Sequence, residues 1–386
     1  MGNDHAGGAA YEDLYPYYAE LCALSELRKK PGCGVSLQSG RGGHALLYLN
    51  GVQRDGDARR LRLVTQNPAA HGAGISVNSH YSNANWIAIE GRDFLWRGAL
   101  AADEPVTPET YARTQAAAKA QGVLDGIIFH KSFFAAKPAA MSDEDYMYEI
   151  STATDYALQF GRDSFCARIP LDRPRMEALI TYLNAINEPY RRGKAYHWNL
   201  FNDNCVHVAR NALAAAGVWK PWPTGQFFAL AAFHFPVPKN AIVDLWRRGN
   251  DLPLDDAQAL YEDEAARDAL LNHGALPTAP GALARRVPAI AANEIYDVSK
   301  LKLIFYDNPV WSPYRPHLRR MFTAPYSTDL HANLVHFAAR YEQARHRPRP
   351  RRMTGARESF QFHYEAHLAR AAASTSALLA RLEHAA

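Results

Sequence analysis

Four cysteines in 386 residues, Cys22, Cys33, Cys166 and Cys205, are too few for a scaffold built on disulfides, and none forms a C-x-x-C pair. Zinc-ribbon and thioredoxin-like readings therefore fail. The sequence also lacks H-E-x-x-H, and no G-K-[ST] follows the glycines at 40–43, so zinc-protease and phosphate-loop readings have no support. No stretch approaches the roughly 18 unbroken apolar residues of a membrane span. The start, MGNDHAGGAAYEDLYPYYAEL, shows no basic segment followed by an apolar one, so a cytoplasmic location is expected. Charge of one sign is scarce too: the net charge of +4 does not by itself call for a nucleic-acid partner.

What is present is apolar mass. Hydrophobic residues make up 48% of the chain, enough for a packed core and too many for a disordered chain. The length favours two domains, or one with a large extension. KPWPTG at 220–225 breaks the pattern, so a catalytic domain is expected over 1–225 and a mostly helical region over 226–386.

Within the first part, Leu14, Tyr17, Tyr18, Leu21, Leu24 and Leu27 fall at helical spacing, which predicts a helix over 11–30 stopped by Pro31-Gly32. A glycine-rich run, GCGVSLQSGRGG, then leads into HALLYLNG, an apolar strand. Asp55-Gly56 marks a hairpin into LRLVT, and GISVNSHY and NWIAIEG read as two further strands. A helix is expected over 108–122, a short strand at DGIIFH and another at DSFCARIPL. A helix near 172–189 follows, with Asp172 as cap and Pro174 in its first turn. Cys22 and Cys166 read as core residues.

The chemistry concentrates in FNDNCVHVARNAL. Asn202, Asp203 and Asn204 are all good caps, and they place Cys205 in the first turn of an amphipathic helix that Gly217 ends. Free backbone N–H groups and the positive end of the helix dipole favour an anion there. Together with a protonated histidine they predict a lowered thiol pKa and a thiolate nucleophile, and the same amides suit an oxyanion. A buried structural cysteine is the plain alternative. His44 is the candidate base: it opens an apolar strand directly after glycines that permit close approach of a substrate, with a solvent-facing turn residue as the plain alternative. Cys205 and His207, two apart, diverge on a helix, which argues against a metal site with His197. Neither metal nor cofactor is expected. Trp198, Trp219 and Trp222 read mainly as packing around this helix.

These segments resemble a known family. G-H-A-L-L-Y-L-N-G at 43–51 resembles the G-H-x-F-L-R-x strand of the lipoprotein N-acyltransferase periplasmic-domain family. S-V-N at 76–78 resembles its Y-x-V-N-F strand, and Asp163–Leu171 with the helix after it resembles its W-E-Y-x-L-x-L segment. Y-H-W-N-L-F-N-D-N-C at 196–205 resembles its Y-Y-F-F-x-x-N-C motif. The four elements occur in the family's order within about 35–220. That family is similar to circularly permuted papain-like (NlpC/P60-type) enzymes, in which histidine precedes cysteine. The resemblance implies an α+β, circularly permuted papain-like fold with Cys205 as nucleophile and His44 as base. Asn78, in the matching motif, is expected as the third residue that orients His44. His80 is the alternative on the same face, and Asn204 is expected to cap or to support an oxyanion.

The expected reaction is thiol-dependent acyl transfer on a peptide-, amide- or lipid-containing substrate, as a hydrolase because no membrane segment is seen. The alternatives are an N-acyltransferase on a lipidated substrate and a non-catalytic peptide- or lipid-binding module. The Arg/Pro-rich tract at 344–357 reads as a solvated linker, with an anionic membrane surface as the alternative contact. A final alanine-rich helix spans about 358–384, its Leu378, Leu379 and Leu382 set to dock on the body or to pair with a second copy.

Overall fold

A computed structural model describes residues 10–35, 43–219, 221–224, 237–250, 280–303, 314–346 and 358–385. Helices and sheet are mixed, an α+β architecture. The centre is a sheet of β1 (Tyr18–Leu24), β2 (His44–Asn50), β5 (Gly72–Ser76), β6 (Ile87–Glu90), β7 (Ser164–Pro170) and β8 (Leu283–Val287), in the order β6-β5-β2-β1-β7-β8. Every neighbouring pair is antiparallel. A separate hairpin joins β3 (Val52–Asp55) to β4 (Asp57–Leu63) through Gly56, at φ +73° in the left-handed region that glycine adopts freely.

Residues 11–30, expected as one helix, are divided: 10–14 are helical, 18–24 form β1, and the rest are bends, loop and a short bridge. All seven β1 residues are buried because β2 and β7 pair on either side and both faces are covered. A doubly buried strand reads as a nearly continuous apolar run, and helix-forming Leu, Ala and Glu do not betray it. DGIIFH is no strand; it forms a turn whose Phe129 makes one isolated bridge to Tyr81. The hairpin and the strands at 44, 72, 87 and 164 stand as expected. So do the helices Pro108–Ala120, Arg173–Arg191 and Cys205–Ala215, with Asp172 Oδ1 accepting from Arg175 N at 2.9 Å as the cap.

Alternation along the strands divides the core into two layers. Ala19, Leu21, Ala23, Ala45, Leu47 and Ile169 face Val206, Ala209 and Leu213 of the Cys205 helix. Tyr18, Cys22, Leu24, Leu46, Tyr48 and Cys166 face the opposite layer. Cys22 and Cys166 are register partners across β1 and β7 and form a disulfide, a bond not expected from their spacing in sequence.

The expected edge near 225 falls within the sheet's own path, because β8 comes from 283–287 and pairs with β7. The helix Pro238–Asn250 packs on β1 and β7. Helices Arg315–Met321, Pro325–Thr328, Leu330–His346 and Glu358–Ala385 complete the C-terminal part. In the last of them Leu378, Leu379 and Leu382 pack on the core. Residues 347–357, most of the Arg/Pro-rich tract, lie outside the described residues, as do 36–42 of the glycine-rich run. Among the described residues no helix is long and apolar enough to cross a membrane.

Candidate active site

The loop before Cys205 is tied into a rigid presentation device. Asn199 and Asp203 exchange backbone hydrogen bonds at 2.8 and 2.9 Å, and Asn199 Oδ1 accepts from Phe201 N and Asn202 N at 2.9 and 3.1 Å. Asn204 then caps the helix: its Oδ1 accepts from Val206 N at 2.8 Å and His207 N at 3.2 Å, while its Nδ2 donates to Leu200 O at 2.7 Å. Both ends of one amide are thus spent on fixing the first turn, so capping is its role in this structure.

Cys205 is the first residue of that helix, and its sulfur accepts the backbone N–H of Ala45 at 3.4 Å. Ala45 follows His44, which opens β2 opposite Leu24. The helix start and the backbone at the strand start, 160 residues apart, therefore meet, while the His44 side chain shares the opposite sheet face with Leu46 and Tyr48 and makes no hydrogen bond to Cys205. Cys205 is 8% exposed and His44 7%, and His44 Nε2 is buried with no hydrogen-bond partner among the described residues.

Burial decides the charge states. It pushes the Cys205 thiol up to about 11, although the amides of Ala45, Val206 and Cys205 and the Arg162 guanidinium all favour the thiolate. It likewise pushes His44 down to about 3, with the Arg162 cation adding to the shift and Asp155 opposing it. The lowered thiol pKa and protonated histidine expected from the helix N-terminus are thereby reversed: at neutral pH both groups are neutral. Desolvation of a charge outweighs a half-charge dipole and a few amides in so enclosed a position.

Asn78, expected to orient His44, spends its side chain elsewhere. Its Nδ2 donates to Ser76 Oγ at 3.1 Å and to Asp155 Oδ1. Ser76 Oγ donates to the same oxygen at 2.6 Å, and His80 Nε2 meets Asp155 Oδ2 at 3.2 Å. Asn78 and His80, expected on one strand face, lie in the loop and turn past Ser76, where β5 ends, and what brings them together is Asp155. Burial pushes that carboxyl up, yet the His80 charge and these hydrogen bonds outweigh it and hold the group near 2. His80 is packed by the rings of Tyr81, Phe129 and Phe133.

Arg162 completes the cluster. Its Nε donates to Ala153 O at 2.9 Å and its Nη1 to Ser25 O at 2.6 Å, one residue beyond Leu24, the partner of His44. It is 2% exposed, and burial lowers it to about 10, so it remains a cation at neutral pH beside the Asp155 anion. Sequence reasoning missed both residues. Asp155 lies in S-T-A-T-D-Y with no pattern around it, and Arg162 stands just before the expected strand DSFCARIPL.

The tryptophans serve packing: Trp219 is buried with the Cys205 helix, and the Arg210 guanidinium lies 4.6 Å from its ring and 4.1 Å from that of Trp222. Among the described residues no three His, Cys, Asp or Glu side chains gather as metal ligands.

No protein-family model, curated protein or solved structure matches this chain.

Proposed function

We propose that the chain is a thiol-dependent acyl-transfer enzyme, a hydrolase in its simplest form, on a circularly permuted papain-like fold. The observation that carries the reading is the Ala45 N–H to Cys205 Sγ contact, which sets a helix-opening thiol against the backbone next to His44. The order histidine-then-cysteine, and an antiparallel sheet with the cysteine helix on one layer, support the fold assignment.

Because both groups rest neutral, the nucleophile is made during the reaction. Substrate displaces the remaining solvent and its carbonyl carbon meets Sγ. The thiol proton passes to His44, whose side chain must swing from the Leu46–Tyr48 face of the sheet to reach Sγ, as the S–C bond forms and the carbonyl electrons move onto oxygen. The Cys205 N–H, which the Asn204 cap leaves untaken, holds that oxyanion, and the buried Arg162 cation favours the transient negative charge. Collapse expels the amine or alkoxide, which takes the proton from His44 and leaves a thioester. Water then attacks the thioester, gives a proton to His44, and the released thiol recovers it. Asp155, with His80 and Asn78, acts behind His44 as a fixed negative charge that steadies the imidazolium.

A second reading is favoured by one observation, the burial of Cys205: a binding module that keeps the fold without the reaction. An electrophilic acyl probe with site-resolved mass spectrometry separates the two. Enzyme chemistry puts the label on Cys205, abolishes it in Cys205→Ala and slows it by ~100-fold or more in His44→Ala. Labelling of Cys33 alone, or labelling that persists in Cys205→Ala, sinks the proposal. The buried Cys22–Cys166 bond suits an oxidising compartment, which weighs against the cytoplasmic expectation.

A further inference from the structure

At the other end of the sheet face that carries His44, three guanidiniums converge on one carboxylate. Glu20 Oε1 accepts from Arg285 Nε at 2.9 Å and lies 3.5 Å from Arg168 Nη2. Its Oε2 accepts from Arg285 Nη2 at 3.1 Å and lies 3.7 Å from Arg92 Nη2. Arg92 also pairs with Glu12, which accepts the Tyr18 hydroxyl at 3.0 Å. The three cations hold Glu20 far below the ordinary carboxylate range even though burial alone pushes it up.

The charges do not balance. Three arginines face two carboxylates, a surplus of one positive charge. Arg168 has the weakest ionic contact and is 5% exposed; its guanidinium sits between the rings of Tyr11 and Tyr18, 4.5 and 4.6 Å from their centres, and its Nε has no hydrogen-bond partner. Arg168 is a buried cation that shares its carboxylate with two others, and a further anion reaching the cluster would even the charge. Access exists: Tyr48, Arg92, Trp96, Arg168 and Arg285 line a cavity of about 1600 Å³, which neither Cys205 nor His44 lines. Its further acids Asp93, Asp103, Asp329 and Glu383 are exposed, where water and salt screen them.

We propose that this cavity is a binding site for a small anion bearing phosphate or carboxylate, held by Arg92, Arg168 and Arg285 and separate from the Cys205 site. Guanidinium forks match both oxyanions in bidentate geometry, and Tyr48 and Trp96 line the same cavity. Glu20 is the resident counter-ion that keeps the three side chains converged when the ligand is absent. The proposal stands whether or not Cys205 is a nucleophile.

Calorimetric titration of the full chain with inorganic phosphate and with citrate, against chloride at matched ionic strength, tests it. Saturable binding of either anion is expected: phosphate alone assigns a phosphate ligand, citrate alone a carboxylate one. Arg92→Gln, which leaves Glu20 its bidentate Arg285 partner, is expected to weaken binding ~10-fold or more, and Arg285→Lys, which keeps the charge and loses the fork, by less. Near-UV circular dichroism establishes that each variant is folded, and Arg173→Gln, exposed on another helix, serves as the unaffected control. Absence of saturable binding beyond the chloride response, or folded variants that all bind as wild type does, overturns it.

Discussion

His44 is a histidine that its surroundings keep uncharged. Its folded pKa lies near 3, mainly through burial, against about 6.5 for an unfolded chain. Between those values the unfolded state takes up a proton that the folded state refuses, so stability is complete above 6.5 and falls as pH drops toward 3. The slope from this residue is about 1.4 kcal/mol per pH unit. Urea denaturation of wild type and His44→Gln at pH 6.5 and 5 is expected to show the larger loss in wild type; Asp203, which burial pushes up to about 6, titrates in this window in both proteins and cancels in the comparison. Equal losses would mean that His44 is hydrated and protonates as freely as in the unfolded chain. The same enclosure bears on the proposed nucleophile: with its thiol near 11, simple alkylation of Cys205 at pH 7 is expected to be slow, which mass spectrometry after iodoacetamide treatment checks.

Among the elements, β1 shows how local preference yields to pairing. YAELCAL carries helix formers, but between β2 and β7 its backbone bonds are satisfied on both sides and its side chains on both faces. Each face then meets a different partner: Ala19, Leu21 and Ala23 the layer of the Cys205 helix, and Tyr18, Glu20, Cys22 and Leu24 the other layer. The disulfide fixes the register of this strand against β7. It closes a loop of 144 residues, and the chain-entropy treatment assigns such a closure about 5 kcal/mol. The double variant Cys22→Ala, Cys166→Ala is expected to unfold at much lower guanidinium concentration, with the slope of the transition giving the loss. A midpoint within error of wild type would show that the bond does not form in solution. The Cys205 helix, by contrast, was legible from its ends: stacked caps before it, Gly217 after it, and apolar residues at helical spacing between.

For the molecule as a whole, the sheet is shared by distant parts of the chain. β8 covers the edge of β7, and Arg285 brings the bidentate partner of Glu20 from 265 residues away. A fragment ending at residue 225 loses both, leaving a bare strand edge and a buried carboxylate with weaker compensation. It is expected to aggregate, or to lose near-UV dichroism while keeping secondary structure. A monomeric fragment with a cooperative melt close to that of the full chain would show that 1–225 folds by itself and that β8 is an accessory.

The sequence by itself determined the elements whose signals are local: hairpin glycines, helix caps, alternating strands, and the pairing of a capped cysteine with a strand-opening histidine as candidates. Tertiary structure decided the rest, because the deciding interactions join residues far apart. Asp155, Arg162 and the disulfide acquire their partners only through the sheet. The charge states of Cys205 and His44 follow from desolvation, which is a property of the packed interior around them and has no signature in the order of the residues.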